Sequence, residues 1–323
     1  MSFASVCGHQ KQIAILRSSL ERGRVAHAYL FYGMPGIGKR TTAEIFARAL
    51  NCEKGHSDAC DECPSCRKME HGNHPDVFFV KADGQFIRIK DIRNLQEQTR
   101  FRPFAGGRRI FLLVDADKMN TEAANALLKT LEEPSQANTL ILLTSRPHSL
   151  PLTILSRCQH LRFNPLPPET IAAFLQSRLS MSDGDALLLA ASSGGSIRKA
   201  LEMNQEGFLK PRDEIVDQMV KSHTNDPLKM LSFLSNLGKD KQDVLRRLEI
   251  LKICYRDAIV FKETGEKGLL LNQDRLESIK DIAGRLPSHK MLDNIKNIEV
   301  TYRAIEQNAN RSLVLEALAF KLA

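Results

Sequence analysis

The chain has 323 residues, 42% of them hydrophobic, which supplies two or three domains with cores of their own. Its formal net charge of +8 admits an acidic partner such as nucleic acid without requiring one. No run approaches the roughly 18 apolar residues of a membrane span, and Met1-Ser2-Phe3-Ala4-Ser5 lacks the charged and apolar blocks of an export signal. The expectation is a cytoplasmic protein with no membrane partner.

A loop around Cys7-Gly8-His9 leads into a stretch in which Ile13, Leu16 and Leu20 share one face, as in a packing helix. His27, a lone histidine, reads as structural. Ala28-Tyr29-Leu30-Phe31-Tyr32 then runs as an apolar strand into Gly33-Met34-Pro35-Gly36-Ile37-Gly38-Lys39. Glycines are needed there because successive backbone N–H groups must point inward around phosphate oxygens, which a Cβ obstructs. Lys39 would add a positive charge on the outer phosphates, and the following helix its N-terminal partial charge. Gly33, Gly36, Gly38 and Lys39 are therefore the candidate phosphate cradle, and the G-x-x-x-x-G-K spacing is far more specific than a pair of glycines.

One position departs from the pattern. The residue after the lysine, whose hydroxyl would ligate Mg²⁺, is Arg40, and Thr41 faces about 100° further round the helix. The loop is expected to be able to hold phosphate while holding Mg²⁺ poorly, which leaves the binding of ATP or ADP open. A glycine-rich turn without nucleotide is the plainer alternative.

Seven cysteines, four of them clustered, fit a metal site in a reducing compartment better than a disulfide framework. Cys52 is followed by Cys60, Cys63 and Cys66 in a C-x-x-C-x-x-C repeat. Four thiolates can close a tetrahedral Zn²⁺ site, and two-residue spacers let a tight turn present two sulfurs to one ion. With no histidine in the repeat, the expectation is structural zinc with no open position for water. An iron–sulfur cluster and four metal-free thiols are the alternatives; His56, His71 and His74 read as non-ligands, and Cys7 and Cys254 as small buried hydrophobes.

Val77-Phe78-Phe79-Val80 is a short strand. The segment from Gln85 to Arg109 is basic and helical in its middle, with Arg88, Lys90, Arg93, Arg100, Arg102, Arg108 and Arg109. It reads as a solvated face or a phosphate-contacting surface, broken by Phe101 to Gly107, where Gly106 sits. Arg109 to Asp117 reads as a buried parallel strand whose terminal acid orients Mg²⁺ and its water while an adjoining glutamate activates the water. Asp115 fills the first role. Ala116 stands where the glutamate would be, and Asp117 is expected on the same strand face as Asp115.

Met119 to Glu133 is a helix closed by Pro134, and Thr139 to Thr144 a strand whose Thr144 and Ser145 hydroxyls could sense a phosphate. This alternation is the doubly wound α/β plan. Pro165 and Pro167-Pro168 mark a boundary, after which residues 169 to about 205 are short helices. From about 208 onward helices dominate, with Leu245, Leu248, Leu251, Tyr255 and Ala258 along one, and Ile298, Tyr302, Ile305, Leu313, Leu318 and Leu322 along the last. That region reads as a helical assembly domain.

Together these residues resemble the clamp-loader branch of the AAA+ family, and within it the delta-prime class of the bacterial DNA polymerase III loader. The marks are His27-Ala28-Tyr29-Leu30-Phe31, the four-cysteine insertion, Asn125-Ala126-Leu127-Leu128-Lys129-Thr130-Leu131-Glu132-Glu133-Pro134, Ser156-Arg157-Cys158 and Gly195-Ser196-Ile197-Arg198. The resemblance spans nearly the whole chain. It implies an AAA+ P-loop NTPase core over 1–164 with a zinc module at about 51–75, a helical lid over 165–206 and an all-α collar over 207–323.

It also implies roles. Arg157 would reach into a neighbouring subunit's ATP site as a trans-acting finger, where a guanidinium stabilises charge on the transferring phosphoryl oxygens. Arg198 would be the second sensor arginine, and Cys52, Cys60, Cys63 and Cys66 the zinc ligands. The implied function is a stator with little or no ATPase of its own, since Arg40 and Ala116 replace two hydrolytic residues. Its partners would be delta and tau/gamma subunits in a five-membered ring, the sliding clamp, and primer–template DNA, whose direct contact these residues leave open. The rivals are an ATP-hydrolysing tau/gamma-type motor, expected to carry Ser or Thr at position 40 and Glu at position 116, and a zinc-dependent nucleic-acid-binding protein.

Overall fold

A computed structural model describes residues 1–55, 57–82, 84–105, 107–222 and 227–322. The chain forms two compact units, Met1–Thr170 with Gly195–Arg198, and Ile171–Gly194 with Lys199–Ala323.

The first unit is built on five strands, β1 (Ala28–Tyr32), β2 (Val77–Val80), β3 (Arg109–Leu113), β4 (Asn138–Thr144) and β5 (Gln159–Arg162). All neighbours are parallel, in the order β2-β3-β4-β1-β5. Parallel strands need crossovers, and helices supply most of them: α2 (Lys39–Leu50), α3 (Pro64–Glu70), α4 (Ile89–Thr99), α5 (Thr121–Glu132) and the short α6 (Leu152–Leu155), with α1 (Gln10–Glu21) ahead of the sheet.

Both faces are covered, so the central strands are apolar at successive positions. The strand period of two then sorts side chains between two cores. Tyr29, Phe31, Ile141 and Leu143 join Phe46 and Leu16 on one face, while Leu30, Leu140 and Leu142 join Ile92, Leu95 and Leu127 on the other. This is the α/β core that the sequence leads one to expect.

Two strand expectations need correction. β3 stops at Leu113, where its pairing with Val80 ends. Asp115 then takes a left-handed φ of 55°, and Ala116–Lys118 form a 3-10 turn closed by Lys118 N donating to Asp115 O (2.8 Å). Asp115 and Asp117 therefore share no strand face. β5 escapes the sequence reading because it is a polar edge strand, in which only Leu161 is buried.

The remaining helices are α7 (Pro168–Leu179), α8 (Asp183–Ser192), α9 (Ile197–Gln205), α10 (Arg212–Ser222), α11 (Pro227–Ser235), α12 (Lys241–Thr264), α13 (Leu276–Arg285), α14 (Ser288–Glu306) and α15 (Arg311–Leu322). In the second unit α12 packs against α10, α13 and α14, burying Leu245, Leu248, Leu251, Tyr255 and Ala258 as expected. Asp240 caps its start by accepting from Asp243 N, and Gly265 ends it at a φ of 70°. The buried Asp257 carboxylate accepts from Leu271 N and Asn272 N, clamping the loop after α12.

The single last helix of the sequence reading is in fact two. Asn308, left-handed at φ 66°, turns the chain between α14 and α15. Leu313 consequently faces outward, 63% exposed. Among the described residues no helix is long and apolar enough to cross a membrane.

Candidate functional site

The loop after β1 starts from the middle of the sheet, where Gly33 N donates to Thr144 O on β4 (3.3 Å). Gly36 and Gly38 have φ of 76° and 103°. A Cβ on Gly36 would lie 2.3 Å from Ser196 Oγ, and one on Gly33 2.2 Å from Phe163 O. Conformation and space both require glycine. His9 Nε2 lies 2.7 Å from Ile37 O and so donates to it. Burial, acting against this hydrogen bond, keeps the His9 imidazole below its usual pKa.

Lys39 turns back onto its own loop. Its Nζ donates to Gly33 O (2.6 Å) and Met34 O (2.8 Å). Burial lowers its pKa to about 8, against the pull of Asp115 and Asp117, and Arg198 lowers it further. These four charges share one neighbourhood, and Arg198 N donates to Gly36 O (3.1 Å). The loop can thus present N–H groups to an anion, but its lysine is already engaged. Arg40 donates to Glu44 Oε1 (2.7 Å), one turn further into α2, and its guanidinium lies 5.8 Å from the Phe79 ring centroid.

The acids divide their work in a way the sequence reading misses. Asp115 is exposed and pairs with Lys118 (3.0 Å), whereas the Asp117 side chain is only 3% exposed and pairs with Arg146 (2.8 Å). Thr144 Oγ1 donates to Asp117 Oδ1 (2.6 Å) and accepts from Arg146 N (2.9 Å). Burial pushes the Asp117 carboxyl up, but the bonds from Thr144 and Arg146 outweigh it and hold the pKa below the usual range. Thr144, expected as a phosphate sensor, has its hydroxyl proton committed to Asp117. Ala116 lies fully buried in the second core, beside Ala123 and Leu127. The missed signal is the arginine two positions beyond Thr144.

Arg157 is held elsewhere on the first unit, just past α6. Its Nη2 lies 2.9 Å from Glu132 Oε1, its Nη1 donates to Thr153 O (3.0 Å), and its side chain is 36% exposed. No hydrogen bond or ion pair among the described residues ties it to the phosphate loop.

The four cysteines converge, with the Sγ atoms of Cys52, Cys60, Cys63 and Cys66 all within 4.8 Å of one another. Sulfurs on a tetrahedral zinc, each about 2.3 Å from the ion, stand roughly 3.8 Å apart. Gly55 N and Cys60 N donate to Cys52 Sγ (3.2 and 3.3 Å), Cys63 N to Cys60 Sγ (3.4 Å) and Cys66 N to Cys63 Sγ (3.4 Å). Such N–H groups favour thiolates. Backbone donors from Glu62 and Cys63 hold the Cys60 thiol well below its usual pKa, while burial raises that of Cys66. The donor set and spacing fit a metal such as zinc.

The insertion is fixed to the core by Asp58, which accepts from Phe3 N and Arg17, and by Asp61, which accepts from Arg48 (2.7 Å). His74 is engaged by Ser65 Oγ (3.0 Å) and Asp76 N (3.2 Å), and His71 is exposed, so neither joins the cluster. His56, like Gly106, lies outside the described residues. Part of the basic stretch is structural. Arg109 is buried, donates to Gln98 O (2.7 Å) and lies 3.4 Å from the Asp76 carboxylate, while Arg108 reaches Thr139. Arg93, Arg100 and Arg102 are exposed.

A family model described as "DNA polymerase III, delta subunit" matches residues 8–167, and one described as "DNA polymerase III, delta subunit, C terminal" matches residues 206–323. The chain is 30% identical over 314 residues to the DNA polymerase III subunit delta-prime of Bacillus subtilis, covering 95% of this chain and 94% of that protein. It is 38% identical over 205 residues to the delta-prime subunit of Pseudomonas aeruginosa, covering 62% of each. The tau subunit of Bacillus subtilis is 26% identical, with 99% of this chain matched to 61% of that protein. With both units matched and the delta-prime relative aligned almost end to end, the chain belongs to the DNA polymerase III delta-prime family of clamp-loader components.

Proposed function

We propose that the chain is the stator of its clamp loader, a ring member that does not turn over nucleotide and lends Arg157 to a neighbour's ATP site. The observation that carries this reading is the self-engaged loop: Lys39 is bonded to Gly33 O and Met34 O, and Arg40 to Glu44. ATP or ADP entering the loop has to displace Lys39, and Mg²⁺ finds no hydroxyl at position 40. In this reading Gly33, Gly36, Gly38, Lys39, Asp115, Thr144 and Arg198 are the remains of a nucleotide site. Arg157, exposed and lightly held, is free to serve another chain.

The further parts of the proposal are a five-membered cytoplasmic ring with delta and tau/gamma subunits, action on the sliding clamp at primer–template DNA, a lid over 165–206 and a collar over 207–323. Cys52, Cys60, Cys63 and Cys66 hold structural Zn²⁺ that pins residues 51–75. In a loader reconstituted with Arg157→Ala, the ATP site that Arg157 serves should lose at least about a hundredfold in turnover, since such arginines supply roughly 10³–10⁵ in other phosphoryl-transfer systems. The purified chain alone should show no turnover. An unchanged rate in the reconstituted variant, or brisk hydrolysis by the chain alone, would overturn the reading.

A further inference from the structure

The turn that carries Arg157 grows out of a helix too short to satisfy its own carbonyls. The last carbonyls of any helix lack intrahelical partners, and in the four-residue α6 those of Ile154 and Leu155 are among them. Arg157 N donates to Ile154 O (3.2 Å) and Cys158 N to Leu155 O (3.2 Å), which winds Ser156, Arg157 and Cys158 into a tight turn. The chain then enters β5.

His160, on β5, reaches back across this turn. Its Nε2 lies 2.8 Å from Leu155 O, and because a carbonyl only accepts, the imidazole donates. The strand period explains the direction. Leu161 faces the core that holds Phe46, so His160 faces the other side of the sheet, where Ile154 anchors α6. Parallel pairing sets His160 opposite Leu30, two residues from Tyr32 on β1. The His160 and Tyr32 rings meet edge to face, with centroids 5.9 Å apart and planes at 75°. His160 is exposed, so water could serve its ring equally well. What the bond fixes is the turn.

At rest the Arg157 side chain is tied to Glu132 and to Thr153 O. Both ties are given up once the guanidinium turns to another chain, and the main-chain turn alone then holds its base. Placement matters there, since a shift of about 1 Å can cost a positioned group roughly a hundredfold.

We propose that His160 is a positioning residue for Arg157: its bond to Leu155 O, braced by the Tyr32 ring, fixes the base from which the guanidinium reaches a neighbour's ATP site. This rests on the stator reading above. It also gives the end of β1 a task in a chain whose phosphate loop is self-engaged, because Tyr32 immediately precedes Gly33.

The test uses loaders reconstituted with variants of the full chain, and reads the part of ATP turnover that Arg157→Ala removes. His160→Ala should lower that part roughly tenfold through kcat, the scale of one lost hydrogen bond, with KM and assembly of the loader unchanged. His160→Gln, whose amide N–H can occupy the Nε2 position, should restore most of it. His160→Asn, whose amide falls at the Nδ1 position, should not. Adding His160→Ala to Arg157→Ala should cost nothing further, because His160 acts through that arginine. If Arg157→Ala lowers turnover and His160→Ala does not, the proposal is overturned and the stator reading stands. If Arg157→Ala itself has no effect, both are overturned. Equal losses in the Gln and Ala variants, or additive losses in the double variant, would also overturn the proposal.

Discussion

The phosphate loop and the cysteine knuckle are both backbone cradles, and they are completed in opposite ways. In the knuckle, the N–H groups of Gly55, Cys60, Cys63 and Cys66 point at sulfur, and four thiolates brought together repel one another until a cation sits among them. In the loop, the cation comes from within, as Lys39 bonds to Gly33 O and Met34 O. One cradle calls for an outside ion and the other is closed by its own side chain. On the proposed reading, the same kind of local geometry marks a metal site in one place and a retired nucleotide site in the other.

The contrast can be tested in order of effect. Stripping the metal with a chelator should lower the melting temperature by more than about 5 °C, because a structural ion contributes its binding energy to folding. Cys63→Ser should start from the lower value and respond little to the same treatment. If melting is unmoved in the wild type, the knuckle is no more dependent on an outside ion than the loop. A smaller effect is expected for Gly36→Ala, since a φ of 76° and a Cβ 2.3 Å from Ser196 Oγ strain any other residue. The cost should be about 1–3 kcal/mol by urea unfolding, and a neutral result would mean that the loop is slack.

The smallest effect is a pH dependence. Lys39 titrates at about 8 in the folded chain, against about 10.4 for an unperturbed lysine. Between these values the unfolded chain still binds a proton that the folded chain has released, so stability should rise with pH across the window. Below about pH 8 both states are protonated and this contribution is flat. Lys39→Met should lack the rise, and identical profiles for the two proteins would show that Lys39 is not buried against its loop.

Much of the fold was legible because its signals are local. The glycine spacing, the C-x-x-C-x-x-C repeat and the apolar strands each depend on neighbours in sequence. What escaped depends on distant partners. β3 ends at Leu113, and the left-handed turn at Asp115 that follows, closed by Lys118 N, keeps Asp115 and Asp117 off a common strand face. Arg109 looked like a surface cation; it is buried because Asp76, far back in the chain, and Gln98 receive it. The commitment of Thr144 to Asp117 likewise depends on a turn that periodicity does not reveal. β5 was hidden by its polarity, and the break between α14 and α15 by a single left-handed asparagine.

The Arg157–Glu132 pair has a kinetic side. Exposed ion pairs of this kind contribute only about 0–1 kcal/mol, so the guanidinium rests in a shallow well on its own surface. Any more strongly negative group brought alongside can take it without unwinding α6 or disturbing the sheet. On the reading proposed above, in which Arg157 serves a neighbour, the arm is parked where leaving takes little energy and its timing is set by that neighbour's arrival.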